Sequence, residues 1–155
     1  MKKFILTCMF SLVCLLAGAQ EYSACSAGQS NTGNFLVKIV VSSKKKLKSS
    51  SEDLVKHYAV HAVIFRGLMA TDGYGEQKPL VKDGDVEVTQ SEFFNAFWND
   101  GVFKRFASLV PSTLSVMKNK QTKMTETSAT VMVDKESLLH YLEESHIIQG
   151  FSNLW

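Results

Sequence analysis

Residues 52–68 read EDLVKHYAVHAVIFRGL, the longest run beyond the first twenty residues with the pattern of a buried helix. Stepping 100° per residue puts Leu54, Tyr58, Ala62 and Phe65 on one face with Val55 beside them, while Ala59 and Val63 carry the apolar surface further round. Polar positions are few: Lys56, His57, His61 and Arg66. A helix apolar over so much of its circumference must be covered on more than one side, which predicts a place between a sheet and a second helix or the chain termini. Ser51 is the expected N-cap, Glu52 and Asp53 occupy the first turn where the helix dipole favours negative charge, and Gly67 ends the run.

Outward from this helix the chain alternates strands and helices. On its N-terminal side Phe35 to Ser42, FLVKIVVS, is dense in β-branched residues and predicts a strand. The connector Ser43 to Ser51 carries Lys44, Lys45, Lys46 and Lys48, which without interleaved aromatics read as a solvated loop rather than an anion-binding patch. On the other side, residues 70–78 hold turn formers, and 79–89 suggest a short edge strand or hairpin around Lys82 to Asp85. A second helix is expected from Gln90, broken at Asn99-Asp100-Gly101 and resumed to Leu109. Leu109 to Met117 and Ser128 to Asp134 read as two strands of a hairpin, and Asp134 caps a last helix ending before Gly150 and an apolar tail of Phe151, Leu154 and Trp155. The expected fold is α+β, an antiparallel sheet of three to four strands with helices packed mainly on one face.

The first residues read as an export signal. Lys2 and Lys3 form a positive start, Phe4 to Leu16 an apolar stretch, and Ala17-Gly18-Ala19 the small residues of a cleavage site. The apolar stretch is shorter than the 18 to 20 or so residues a membrane span requires. The expected organisation is a signal peptide at 1–19, a flexible lead-in at 20–34 rich in Ser, Gly, Ala, Gln and Asn, and one domain over 35–155, with no transmembrane span after cleavage. The chain holds 17 Lys and Arg against 15 Asp and Glu, so without Lys2 and Lys3 it carries 15 of each and no formal net charge. That balance argues against a general nucleic-acid binder. Cys8 and Cys14 fall in the signal, leaving Cys25 as a free thiol or, on the pattern Ser23-Ala24-Cys25, a lipidation site. Tyr22 and the distance from Leu16 speak against lipidation.

Three groups of residues are candidate sites. His57 and His61, four apart, project from one side of the central helix and could share a metal ion, with His140, His146, Asp72 or Glu76 as further ligands. Tyr58 stands where a zinc-protease helix has Glu, so the hydrolytic motif is absent. Asp83, Asp85 and Glu87 alternate as in calcium loops but lack the glycine and closing Glu such loops need, which leaves a solvated turn. Phe93, Phe94, Phe97, Trp98, Phe103 and Phe106 crowd into fourteen residues and serve either as core or as the floor of a groove. No phosphate-binding glycine loop and no nucleophile elbow is present, so no catalytic residue or cofactor is nominated.

The leader, the Ala17-Gly18-Ala19-Gln20 junction and the overall layout resemble small exported α+β proteins of unknown function from Gram-negative anaerobes. The strand, helix, hairpin, helix order is similar to small envelope lipoprotein domains. The resemblance implies an exported domain that is periplasmic, outer-membrane-associated or secreted, and it assigns no functional residue. The expected function is a non-catalytic binding or structural module of the cell envelope, holding an envelope protein or a small apolar ligand. The alternative is a metal-binding protein or hydrolase using His57 and His61.

Overall fold

The computed structural model describes residues 21–44 and 50–148. The expected signal peptide, Lys45, Lys46 and Lys48 of the basic loop, and the tail from Gly150 onward lie outside the described residues. The fold is α+β: five antiparallel strands form one sheet, and helices cover one of its faces. The strands are β1 (Glu21–Gln29), β2 (Phe35–Ser43), β3 (Ala107–Leu109), β4 (Ser115–Lys118) and β5 (Thr125–Val133). They run in the order β1, β2, β5, after which β3 and β4 share the far side of β5.

Alternation decides which face is covered. In β2 the side chains of Phe35, Val37, Ile39 and Val41 are buried while Lys38 is exposed, and opposite them Ala129, Val131 and Val133 of β5 are buried. Helix α1 (Ser51–His61) lies across this apolar face, in contact with β2, β3 and β5. The two-sided burial expected of α1 is present. Val55, Ala59 and Val60 are fully buried, with the helix packed between the sheet and the 3-10 turn at Val102–Phe106. Its N-cap is Ser50, one residue before the expected Ser51, and the Ser50 hydroxyl accepts from the Asp53 N–H at 3.1 Å.

Past His61 the helix widens into a π-helical turn, Ala62–Arg66, closed by the Gly67 N–H donating to the Ala62 carbonyl at 2.7 Å. Gly67 takes φ 76°, and a Cβ there would collide with the Gln77 carbonyl, so glycine is required. The carbonyls of Val63 and Ile64 are satisfied by the N–H groups of Leu80 and Val81. This explains why 79–89 forms no edge strand, contrary to the sequence reading. Its first donors serve the helix end, and the segment then turns at Asp83, whose carboxylate accepts from the Asp85 N–H, into the single-turn helix α2 (Val86–Thr89).

The lead-in expected to be flexible is instead the strand β1, in register with β2 from Glu21 opposite Ser42 to Ser26 opposite Val37. Small residues are what its position demands. On its outer edge it bonds the turn at Leu68–Gln77 through Ser26 N–H to the Met69 carbonyl and Met69 N–H to the Ala24 carbonyl. At Gly28, φ 106°, a Cβ would lie 2.8 Å from the Tyr74 ring. Cys25 sits in the middle of β1 as a free thiol. Processing at Cys25 would remove Glu21 to Ala24, four residues paired with β2, which weighs against lipidation there.

The strand expected over 109–117 is split. Pro111 and Ser112, the latter at φ 63°, leave the sheet, and the Thr113 hydroxyl fills the gap by accepting from the Thr130 N–H at 3.1 Å and donating to the Val110 carbonyl at 2.7 Å. Helix α3 (Ser91–Asn99), the break at Gly101 (φ 72°) and the 3-10 turn follow the expected split aromatic helix as far as Phe106, but Ala107–Leu109, expected to continue it, pair with β5 as β3. Helix α4 (Lys135–Glu144) is capped by Asp134 as expected, its carboxylate accepting from the Ser137 N–H at 3.0 Å.

Candidate functional site

The six aromatics read as either core or groove do both, and the structure divides them. Phe94 and Phe97 are 2% and 1% exposed, and Phe103 and Phe106 are also buried, so they hold α3 and the 3-10 turn to the body of the domain. Phe93 packs on Phe94, Phe97 and Tyr141 at the edge of that cluster. Trp98 and Phe103 reach a different place. Together with His57, Tyr58 and Leu54 of α1 they line an open cleft of about 330 Å³, whose polar lining comes from Asp53, Asn99 and Lys104. Gly101 supplies the turn that brings the two sides together. Of the residues proposed for a ligand-binding groove, Trp98 and Phe103 therefore stand at the cleft, while Phe93, Phe94 and Phe97 belong to the packing behind it.

The geometry of the cleft follows from the local sequence. His57 stands on the same side of α1 as His61, one turn earlier, and its ring lies 4.5 Å from the Trp98 ring and 5.5 Å from Phe103. Trp98 and Phe103 face each other across the α3 break at 5.7 Å and 52°. Burial among these rings holds the His57 imidazole down to about 4, with His61 nearby adding to the shift, so the ring is neutral at physiological pH. At the rim the Lys104 ammonium binds the Asp53 carboxylate at 2.9 Å, and this contact keeps Asp53 below the usual carboxylate range. The Trp98 Nε1–H is buried and has no hydrogen-bond partner among the described residues.

His61, stacked on His57 and 6.0 Å from the Trp98 ring, also reaches a second cluster that the sequence reading missed. Its Nδ1 lies 2.6 Å from the Tyr22 hydroxyl and its Nε2 lies 3.5 Å from a carboxylate oxygen of Glu87. A carboxylate only accepts, so the neutral ring that satisfies both contacts carries its proton on Nε2 and accepts the Tyr22 O–H at Nδ1. Burial lowers the His61 pKa and Glu87 opposes that shift. Burial also pushes the Tyr22 phenol up to about 12, against the pull of Arg66, whose guanidinium lies 4.6 Å over the Tyr22 ring. Neither partner was legible from spacing, since Tyr22 fell in the expected lead-in and Glu87 in the expected hairpin.

The metal reading of His57 and His61 gains nothing from this arrangement. Their rings are stacked with centroids 6.3 Å apart, and both nitrogens of His61 face other partners. His140 pairs instead with Glu144 on α4, and among the described residues no three potential ligands converge. No family model, curated protein or solved structure matches the chain.

Proposed function

We propose that the protein is an exported, non-catalytic binding module of the cell envelope and that the cleft between α1 and the α3 break is its ligand site. The observation carrying this reading is the meeting of aromatic side chains with solvent-facing polar groups around one open cleft, the composition of small-ligand sites. Export rests on the signal pattern of Lys2, Lys3, Phe4 to Leu16 and Ala17-Gly18-Ala19. Mass spectrometry of the protein purified from its own cells is expected to give a chain beginning at Gln20, and a chain retaining Met1 sinks the export half of the reading. For the binding half, a ligand-observed NMR screen of small neutral molecules is expected to return hits that shift the Trp98 indole N–H and the Gly101 amide. Hits that cluster on another surface sink it.

A second reading, proton transfer by His61 as in a hydrolase, is favoured by one observation: carboxylate, imidazole and phenol stand in line, the arrangement that orients a general base. It predicts that the protein hydrolyses p-nitrophenyl acetate faster than free imidazole at equal concentration and that His61→Gln removes the excess. A rate equal to that of imidazole rejects it.

A further inference from the structure

We infer that the ligand of the cleft is a neutral carbohydrate, seated with one pyranose ring against Trp98. The inference rests on the reading of the cleft as a ligand site and names what that site selects.

Charge comes first. Asp53 and Lys104 stand together at the rim, 2.9 Å apart, so the cleft mouth offers both signs and favours neither an anion nor a cation. A charged ligand would have to break this pair and leave one member without its partner. His57, the remaining titratable group with nitrogen donors or acceptors at the cleft, is neutral in its aromatic surroundings. A neutral ligand fits this set.

Polarity comes second. A site for a lipid or another purely apolar molecule is lined predominantly by hydrophobic side chains. Here Asp53, His57, Asn99 and Lys104 make up much of the lining. The Asn99 amide makes no hydrogen bond among the described residues, and Lys104 has two further N–H donors beyond the one given to Asp53. A carboxylate, an amide and an ammonium around one cleft offer the mixed donors and acceptors that adjacent hydroxyl groups require, because each hydroxyl both donates and accepts.

Shape supplies the third term. A pyranose ring is amphipathic in a particular way: its hydroxyls radiate from the rim while one face presents only C–H groups. Aromatic faces are electron-rich and receive such a face favourably. Trp98, which is half-buried, provides such a ring surface, and the buried Phe103 backs it at 5.7 Å and 52°. The cleft volume of about 330 Å³ lies at the small end of the roughly 300–1,000 Å³ range of ligand sites, enough for one or two sugar rings.

The test is saturation-transfer NMR on the chain from Gln20 with Trp155→Phe, leaving Trp98 as its one indole. The probes are disaccharides of glucose, N-acetylglucosamine, mannose and galactose, with indole as a flat apolar probe and benzyltrimethylammonium as a cationic one. At least one disaccharide is expected to receive saturation at its ring C–H protons and to quench or shift Trp98 fluorescence. Trp98→Leu removes the aromatic face, and Asn99→Ala removes an exposed amide. Each is expected to weaken that binding roughly three- to tenfold, the loss of one stacking contact or one hydrogen bond. Binding of indole or of the cation without any disaccharide overturns the carbohydrate assignment and leaves the cleft as a ligand site. Disaccharide binding untouched by both substitutions overturns the assignment by moving the site elsewhere. Silence from every probe overturns the assignment and the ligand-site reading together.

Discussion

Phe97→Ala is expected to destabilise the domain by about 3–5 kcal/mol, the loss measured for large aromatic truncations in well-packed interiors. Phe97 is 1% exposed and stands among other aromatic rings: Phe93 at 5.9 Å and Trp98 at 4.7 Å on its own helix, Phe106 at 6.2 Å and Tyr141 at 6.0 Å. Those last two belong to the 3-10 turn and to α4, so one side chain joins three elements. Removing it leaves a cavity that the surrounding rings, each tied to a different element, cannot jointly collapse to fill. Urea denaturation of the variant should show the midpoint moving far to lower concentration with little change in slope. Asn99→Ala, two residues on but exposed, is expected to stay within about 0.5 kcal/mol of the parent. A small loss at Phe97 would mean that the aromatic cluster is looser than its geometry implies. The contrast between the two positions separates the packing half of the cluster from the half available to a ligand.

That division was only partly legible in the sequence. Helical spacing reveals that Phe93, Phe94, Phe97 and Trp98 share a broad surface, but it does not say which neighbour each ring meets. The answer depends on Gly101, whose left-handed backbone swings Phe103 back toward Trp98 and opens the cleft beside α1. The central helix was legible because its apolar sweep is local information, as was the alternation of β5, whereas Val40-Val41 blurred that of β2. Strand β1 was not. Its residues are small and polar, and they become a strand only because β2 lies on one side and the Leu68–Gln77 turn on the other, close enough that Gly28 must lack a side chain. A composition that signals disorder in isolation here signals tight approach. The same failure hid the Tyr22–His61–Glu87 line, whose members are brought together by tertiary contacts over 39 and 26 residues of sequence and share no local pattern.

Acid is expected to loosen the domain as the pH falls from 6.5 toward 4. His57 is held down to about 4 from an unfolded value of 6.5, chiefly by burial among aromatic rings. A base whose folded pKa lies below its unfolded one binds fewer protons in the native state. Its contribution to stability is therefore complete above pH 6.5 and is lost as the pH falls toward 4. From pH 7.5 to 4.5 the expected loss is about 2 kcal/mol, reduced from the ideal linkage value because the ring is partly open to solvent. His61 acts in the same direction, since burial lowers it as well, though Glu87 returns part of the effect. Asp53 does not enter this interval, because its folded value lies below the ordinary 3.8 and its contribution is lost only as the pH falls further. Urea midpoints measured at half-unit steps should thus fall through this window in the parent. In His57→Phe, where an apolar ring replaces the imidazole beside Trp98 and Phe103, the slope should shrink to the share carried by His61. An undiminished slope in His57→Phe that vanishes in His61→Phe would transfer the effect to the Tyr22 cluster. A parent curve flat across the window would mean that water reaches the His57 ring far more freely than its packing allows.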